Sequence, residues 1–295
     1  MPAFTPRQLL LLSLLTLTWG INWPIMKLGV MNFPPLSFRA LSMWIGIAVV
    51  GVVIALQKRS IALPRAYWPQ LFKLALFNMV IWHCLVIVAM PMVSSGRAAI
   101  LGYTMPIFSA VIGAWVFHDR LAGRAWAGVG AAFLGIVLLL WHEFGALGGR
   151  PMGALLIIFA AACWAYGTQL LRRAQLPVDV LVLSFWMMLI TASVLSLGGV
   201  IWEMPQWHAP NAIAWGAILF NGFLVIGFAQ MLWFILARSL PPVASTLSVM
   251  FIPVLGVFSG AWWLGEVLHW QDWTAVGLMV VAIASVLWPS QSRQA

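Results

Sequence analysis

The chain contains one stretch twice, each time with a proline inside an apolar run. Residues 98–121 read AAILGYTMPIFSAVIGAWVFHDRL, and residues 245–268 read STLSVMFIPVLGVFSGAWWLGEVL. Aligning Pro106 with Pro253 sets an offset of 147 residues. That offset places Gly113 on Gly260, Trp115 on Trp262, Asp119 on Glu266 and Leu121 on Leu268. It also carries Trp126 onto Trp273 and Gly130 onto Gly277. Half of the chain repeats the other half, and any fold must obey that duplication. A proline inside a helix frees a backbone carbonyl, which hydrocarbon tolerates only beside protein or a wet cavity. Paired interruptions at matching places in two halves point to the substrate site of a transporter.

Hydrocarbon is the relevant solvent. Of 295 residues, 63% are hydrophobic and 7% charged, where a soluble domain carries about 25% charged residues. Strict alternation is absent, so the spans are helices and not barrel strands. The net charge of +9 reads as lysine and arginine on cytoplasmic loops, and no nucleic-acid partner is expected. Cys84 and Cys163 each sit in an apolar run, which gives no disulfide framework and no metal site. Zinc-protease, phosphate-loop and nucleophile-triad motifs are missing, so neither an enzyme nor a cofactor is expected.

Hydropathy predicts ten spans, at residues 8–27, 35–56, 70–90, 95–117, 123–141, 152–171, 178–201, 211–236, 243–264 and 271–288. Arg7 precedes the first span and no small-residue cleavage site follows it, so it reads as a retained helix. With the N-terminus on side A, side A holds eleven basic residues and side B four: Lys27, Arg39, Arg97 and Arg150. Side A is then cytoplasmic, with both termini inside a bacterial inner membrane, and Arg39 and Arg97 are expected to snorkel to the side-B interface. Five spans per half is an odd number, so the halves, residues 1–147 and 148–295, enter from opposite sides as inverted repeats. Trp19 precedes Lys27 by eight residues as Trp164 precedes Arg172, and Phe77-Asn78 recurs as Phe220-Asn221.

Four stretches carry a family resemblance: TWGINWPIMK at 18–27, PPLSFRA at 34–40, LWFILARSLPPVAS at 232–245 and PVLGVFSGAWWLGEVL at 253–268. With these the chain resembles the EamA family of the drug/metabolite transporter superfamily over nearly its whole length. Within it the chain looks most like the bacterial YddG-type exporters of aromatic and related amino acids. The pair Gly265-Glu266 ends the second copy, while His118-Asp119 ends the first, which keeps the carboxylate and loses the glycine. The resemblance implies an all-α membrane protein of ten helices around a central cavity, lined mostly by spans 1, 3, 4, 6, 8 and 9. It implies export of a small neutral or zwitterionic solute, an amino acid, by a monomer whose other partner is lipid. The alternatives are a multidrug or other metabolite exporter of the same superfamily, and, further off, a membrane enzyme or sensor.

Candidate solute-binding residues follow from placement. Trp19, Asn22 and Trp23 share one helical face, and Pro24 is expected to kink that span. Asn78 and Trp82 share a face of span 3, with His83 about 140° round from Asn78 at 100° per residue. His83 is the one midspan imidazole, and an ionisable group in a membrane is functional by default; the bland alternative is a neutral ring bonded to a carbonyl. Tyr103, Ser245 and Ser248 flank the two proline sites, Trp164 repeats Trp19, and Gln169 and Gln230 are midspan amides. Pro24, Pro106 and Pro253 are the candidate hinges. Asp119 and Glu266, at helix ends, suit a structural lock with loop donors. None of the six acidic residues falls midspan, which disfavours a cation as solute.

The topology is testable by cysteine accessibility. Introduced cysteines in 57–69 are expected to resist an impermeant reagent added outside, and those in 142–151 to react. The opposite pattern inverts the assignment.

Overall fold

The structure is a computed structural model that describes residues 6–119, 123–146, 151–174, 176, 178–232 and 242–287. The side chains of 140, 142–146, 242–250 and 286–287 lie outside that description, and with them those of Ser245 and Ser248. The described helices are α1 (Pro6–Asn32), α2 (Pro35–Leu56), α3 (Arg65–Met92), α4 (Ser95–Val116) and α5 (Gly123–Ala146). Then come α6 (Met152–Arg173), α7 (Val180–Gln206), α8 (Ala212–Leu232), α9 (Pro242–Leu264) and α10 (Trp270–Leu287). Seven of these are long and apolar enough to cross a membrane, and Gly123–Leu139 and Phe251–Leu264 are shorter apolar helices. Large apolar side chains face outward all along them, with Trp262 82% exposed, which water would not tolerate and lipid does. The chain is a multi-pass membrane protein.

Helix starts are set by local chemistry. Two prolines open α2, where a missing N–H and a fixed φ suit the first turn. Side chains of Ser94, Asp179 and Asn211 accept from the backbone N–H of Arg97, Leu181 and Ala214 and so begin α4, α7 and α8. The two copies of the proline helix end alike. Gly265 has φ +64° and His118 has φ +58°. The next N–H turns back in both, Asp119 to Gly113 O at 2.8 Å and Glu266 to Gly260 O at 3.5 Å. Histidine thus adopts the left-handed cap without glycine, at about 1–2 kcal/mol of backbone strain.

Packing runs mainly between the halves. α1 lies on α9 as α6 lies on α4; α2 lies on α8 as α7 lies on α3; α3 lies on α6 as α8 lies on α1. α2 also pairs with α7, α4 with α9 and α5 with α10. Glycines let these backbones close up: a Cβ on Gly222 would stand 2.6 Å from Ile45, and one on Gly167 2.8 Å from the backbone of Phe77 and Asn78.

Gly167→Ala is expected to lower stability by about 1–3 kcal/mol, because backbone and not a flexible tip must move. Gly216 has nothing within 4 Å of a built Cβ, so Gly216→Ala gains about 0.5–1 kcal/mol of helix propensity. Thermal unfolding in detergent reads both signs.

Candidate functional site

The proline of the first copy breaks its helix, and the one of the second does not. α4 is α-helical over Ser95–Gly102 and again over Met105–Val116, with Tyr103 and Thr104 between. Pro106 then stands in the first turn of the second piece, where its missing N–H is not needed. Thr104 Oγ donates to Leu101 O at 2.6 Å, which satisfies one carbonyl that the break exposes. Pro253 and Pro24 instead lie inside α9 and α1, each assigned helical throughout. There each proline removes a single backbone bond and the helix continues past it.

Around the break, aromatic rings converge from four helices. Tyr103 is buried and meets Trp23 of α1 edge to face, centroids 6.4 Å apart. Trp82 of α3 meets Trp164 of α6 in the same way at 5.3 Å. Gly102 is the joint between the two pairs: a Cβ there would stand 2.8 Å from Trp23 and 3.2 Å from Trp82. Gly256 of α9 abuts Trp23 from the other side, at 3.3 Å from a built Cβ. All four of these rings are among the residues singled out in the sequence. Trp23 sits deeper than Trp19, which packs with Leu11 and Leu12 on a small cluster of Leu15, Ala229 and Leu232.

Asn78 and Asn221 lie in π-helical turns, Leu76–Val80 and Phe220–Ala229. Each donates its amide to the carbonyl four residues back, Leu74 O at 3.3 Å and Ala217 O at 3.0 Å. The π turn departs from the regular α geometry on which the angle between Asn78 and His83 was reckoned. Asn78 lies against Gly167 of α6, whose missing side chain makes room for backbone. Gln169 donates to Ser109 O at 2.6 Å and accepts from Arg173 at 2.5 Å, which ties α6 to α4. Gln230 is half-buried on α8, and Asn22 keeps a buried Oδ1 with no hydrogen-bond partner.

Of the two basic residues expected to snorkel, Arg39 is enclosed by helices and Arg97 is held in an ion pair. Arg97 pairs with Asp272 at 2.7 Å. Arg39 is 4% exposed and inserts between helices, with Asn221 Oδ1 at 3.1 Å and Met26 Sδ as partners. Sequence distance from a span's end cannot tell which neighbouring helices cover a side chain.

Polar ties close one end of the bundle. Glu203 accepts from Leu36 N and Ser37 N, both at 2.8 Å, and from Ser37 Oγ at 2.7 Å. Glu266 accepts from Ser95 N at 2.6 Å, Ser95 Oγ at 2.9 Å and Gly96 N at 3.2 Å. Lys27 Nζ donates to Met90 O at 2.8 Å and Val93 O at 2.6 Å, at the end of α3. Carboxylates thus sit on helix N-termini and an ammonium on a C-terminus, each where the helix dipole favours it. At the other end Asp119 pairs with Arg173 at 2.8 Å in an exposed position, and half-buried Asp179 pairs with exposed Arg59 at 2.7 Å. The lock expected at Glu266 is made with the N-terminus of α4 in place of loop donors, and that at Asp119 with an arginine of α6.

Comparison with known proteins adds a family. The model of the EamA-like transporter family matches residues 7–141 and again residues 151–288. The uncharacterized transporter YoaV of Bacillus subtilis (strain 168) is 26% identical over 251 residues, 84% of this chain and 85% of its own. The uncharacterized inner membrane transporter YedA of Escherichia coli (strain K12) is 26% identical over 293 residues, 95% of this chain and 92% of its own. A probable amino-acid metabolite efflux pump of Salmonella typhimurium (strain LT2) is 24% identical over 265 residues, 86% of each chain. A solved crystal structure shares the fold at a TM-score of 0.66 and 22% identity, over 93% of this chain and 96% of that one.

Glu203→Ala strands two buried N–H groups at the start of α2 and is expected to cost about 2–4 kcal/mol. Glu203→Gln keeps one acceptor oxygen and is expected to cost less than half of that. Equal melting temperatures for the two variants and the parent would remove Glu203 from the account.

Proposed function

The chain belongs to the EamA-like transporter family, and on that premise we propose that it exports small neutral or zwitterionic metabolites, amino acids and among them aromatic ones. The observation that carries this reading is the convergence of Trp23, Trp82, Tyr103 and Trp164 at the broken segment of α4. Aromatic walls beside loosened backbone suit a solute with an apolar body and a polar end. The Salmonella relative named as an amino-acid metabolite efflux pump supports both the solute class and the outward direction.

The proposed architecture is ten spans in two inverted repeats, residues 1–147 and 148–295, in a bacterial inner membrane with both termini inside. It is supported by the exchange of packing partners between halves, by the matching π turns at Asn78 and Asn221, and by the matching helix ends at His118 and Gly265. The mechanism is alternating access. At one end Glu203 and Asp272 are buried and Glu266 half-buried, Asp272 being 4% exposed, while Asp119 at the other end is 44% exposed. Exposed pairs contribute about 0–1 kcal/mol each, so the end with Asp119 opens at smaller cost from this conformation.

Transport is facilitative in this reading. Among the described side chains no carboxylate stands midspan, and histidine, with an ordinary value near ~6.5, is mostly neutral at pH 7. The same lack of a carboxylate disfavours a multidrug cation exporter.

The test is counterflow in liposomes with a panel of labelled neutral amino acids. Exchange is expected without any pH gradient, and His83→Asn is expected to alter affinity but not to stop it. Alanine at Trp82, Tyr103 or Trp164 is expected to weaken solute recognition by ~1–3 kcal/mol for a dominant contact. Accumulation that needs a pH gradient and disappears in His83→Asn would make His83 a coupling residue. No exchange of any amino acid would contradict the solute class.

A further inference from the structure

Arg39 is a cation enclosed by the bundle, and among the described residues no anion pairs with it. From α2 its guanidinium reaches between α1 and α8, and His83 of α3 lies within its electrostatic reach. It has five N–H donors to satisfy. One finds an oxygen, Asn221 Oδ1 at 3.1 Å, and one faces the Met26 thioether, a weak acceptor. The Nε–H is buried with no acceptor at all. Among the described residues no carboxylate lies within ion-pair distance of it, whereas Arg59, Arg97 and Arg173 each hold one. Arginine does not shed its proton in proteins, and an uncompensated charge inside a membrane protein is costly.

The architecture does not itself require that cation. The starts of α2 at Pro35 and of α7 at Val180 set an offset of 145 residues, the same as Trp19 to Trp164, which carries Arg39 onto Ser184. The second half thus has a buried hydroxyl where the first has a guanidinium. Arg39 is also well placed for a solute. Its contact Met26 lies one helical turn from Trp23, which shares the aromatic group with Tyr103, and His83 is adjacent to Trp82. One turn before Met26, Asn22 Oδ1 is the buried orphan acceptor.

We propose that Arg39 binds the carboxylate of the transported solute, with Met26 holding its place while the site is empty. This rests on the transport reading and narrows it to carboxylate-bearing solutes, α-amino acids included. A planar carboxylate matches the guanidinium fork and can take Nε–H and one Nη–H together. An unbranched thioether swings aside easily, so displacing Met26 disturbs little packing.

The test is thermal unfolding of the purified full chain with matched pairs: phenylalanine and phenylalaninamide, leucine and leucinamide, 3-phenylpropionate and its amide. At least one acid is expected to raise the melting temperature while its amide does not. The acid should bind at least ~30-fold more tightly, the lower end for breaking a buried hydrogen-bonded charge pair. Arg39→Gln is expected to erase the difference between acid and amide, and Arg39→Lys to keep part of it. Should Arg39→Gln not fold, the parent and Arg39→Lys decide the question. Equal shifts by acid and amide, no shift by any acid, or a difference that survives in Arg39→Gln would each overturn the assignment. Liposome flux separates this outcome from the transport reading. Exchange of uncharged solutes without acid preference removes the carboxylate site and leaves a transporter. Acid-specific binding with no flux does the reverse.

Discussion

A backbone N–H or C=O left unpaired in hydrocarbon costs several kcal/mol, so every helix end and every break in this bundle needs a partner. Much of the polar chemistry of the chain answers that demand. Glu203 and Glu266 each bind two backbone N–H groups at the start of another helix, and Lys27 binds carbonyls at the end of α3. The break at Tyr103–Thr104 is tolerated because Thr104 and the neighbouring turn take up the freed groups. Two further irregularities, the π turns of α3 and α8, each carry an asparagine that bonds back to its own helix. Once those needs are met, few polar atoms remain unpaired, and the ones that do are informative. Arg39 Nε and Asn22 Oδ1 are two of them.

The sequence exposed the parts of the structure governed by period and repetition. Apolar runs marked the helices to within a few residues, because a span must match the thickness of the hydrocarbon. The register of 147 residues foretold that the ends of α4 and α9 would look alike, and they do even where His118 replaces a glycine. What stayed hidden depends on helix phase and on neighbours. No residue pattern separates a π turn from an α turn, so the helical phase between Asn78 and His83 was not legible. Arg39, the fifth residue of α2, looked like an interfacial cation because nothing in the sequence says that α1 and α8 close over it. Of the aromatic group, Trp82, Tyr103 and Trp164 were legible from their place beside a proline or in matching spans. Trp23 was legible on one face with Trp19 and Asn22, while its central place rests on the packing of Gly102 and Gly256 against it.

The ends of the bundle differ in kind. One is held by carboxylates shared among buried backbone donors, the other by arginine pairs open to solvent. The first type is rigid and loses its whole network if one helix tilts, since a stranded donor is worse than an absent bond. The second can exchange its partners for water at little cost. A solute bound at the aromatic group would need to repay the opening of the rigid end through contacts made only in that state. A carboxylate held by Arg39 is such a contact, because in the present conformation Met26 occupies the place beside the guanidinium.

Alternating access makes one direct demand: the two ends must open in opposition. Spin labels at exposed Met92 and Val267, across the Glu266 tie, report one end. Labels at exposed Leu10 and Val116 report the other. Distances measured in liposomes with and without a saturating amino acid should show the first pair widening in the same population in which the second narrows. Distances that widen together, or that stay single and unchanged with solute, would contradict the account.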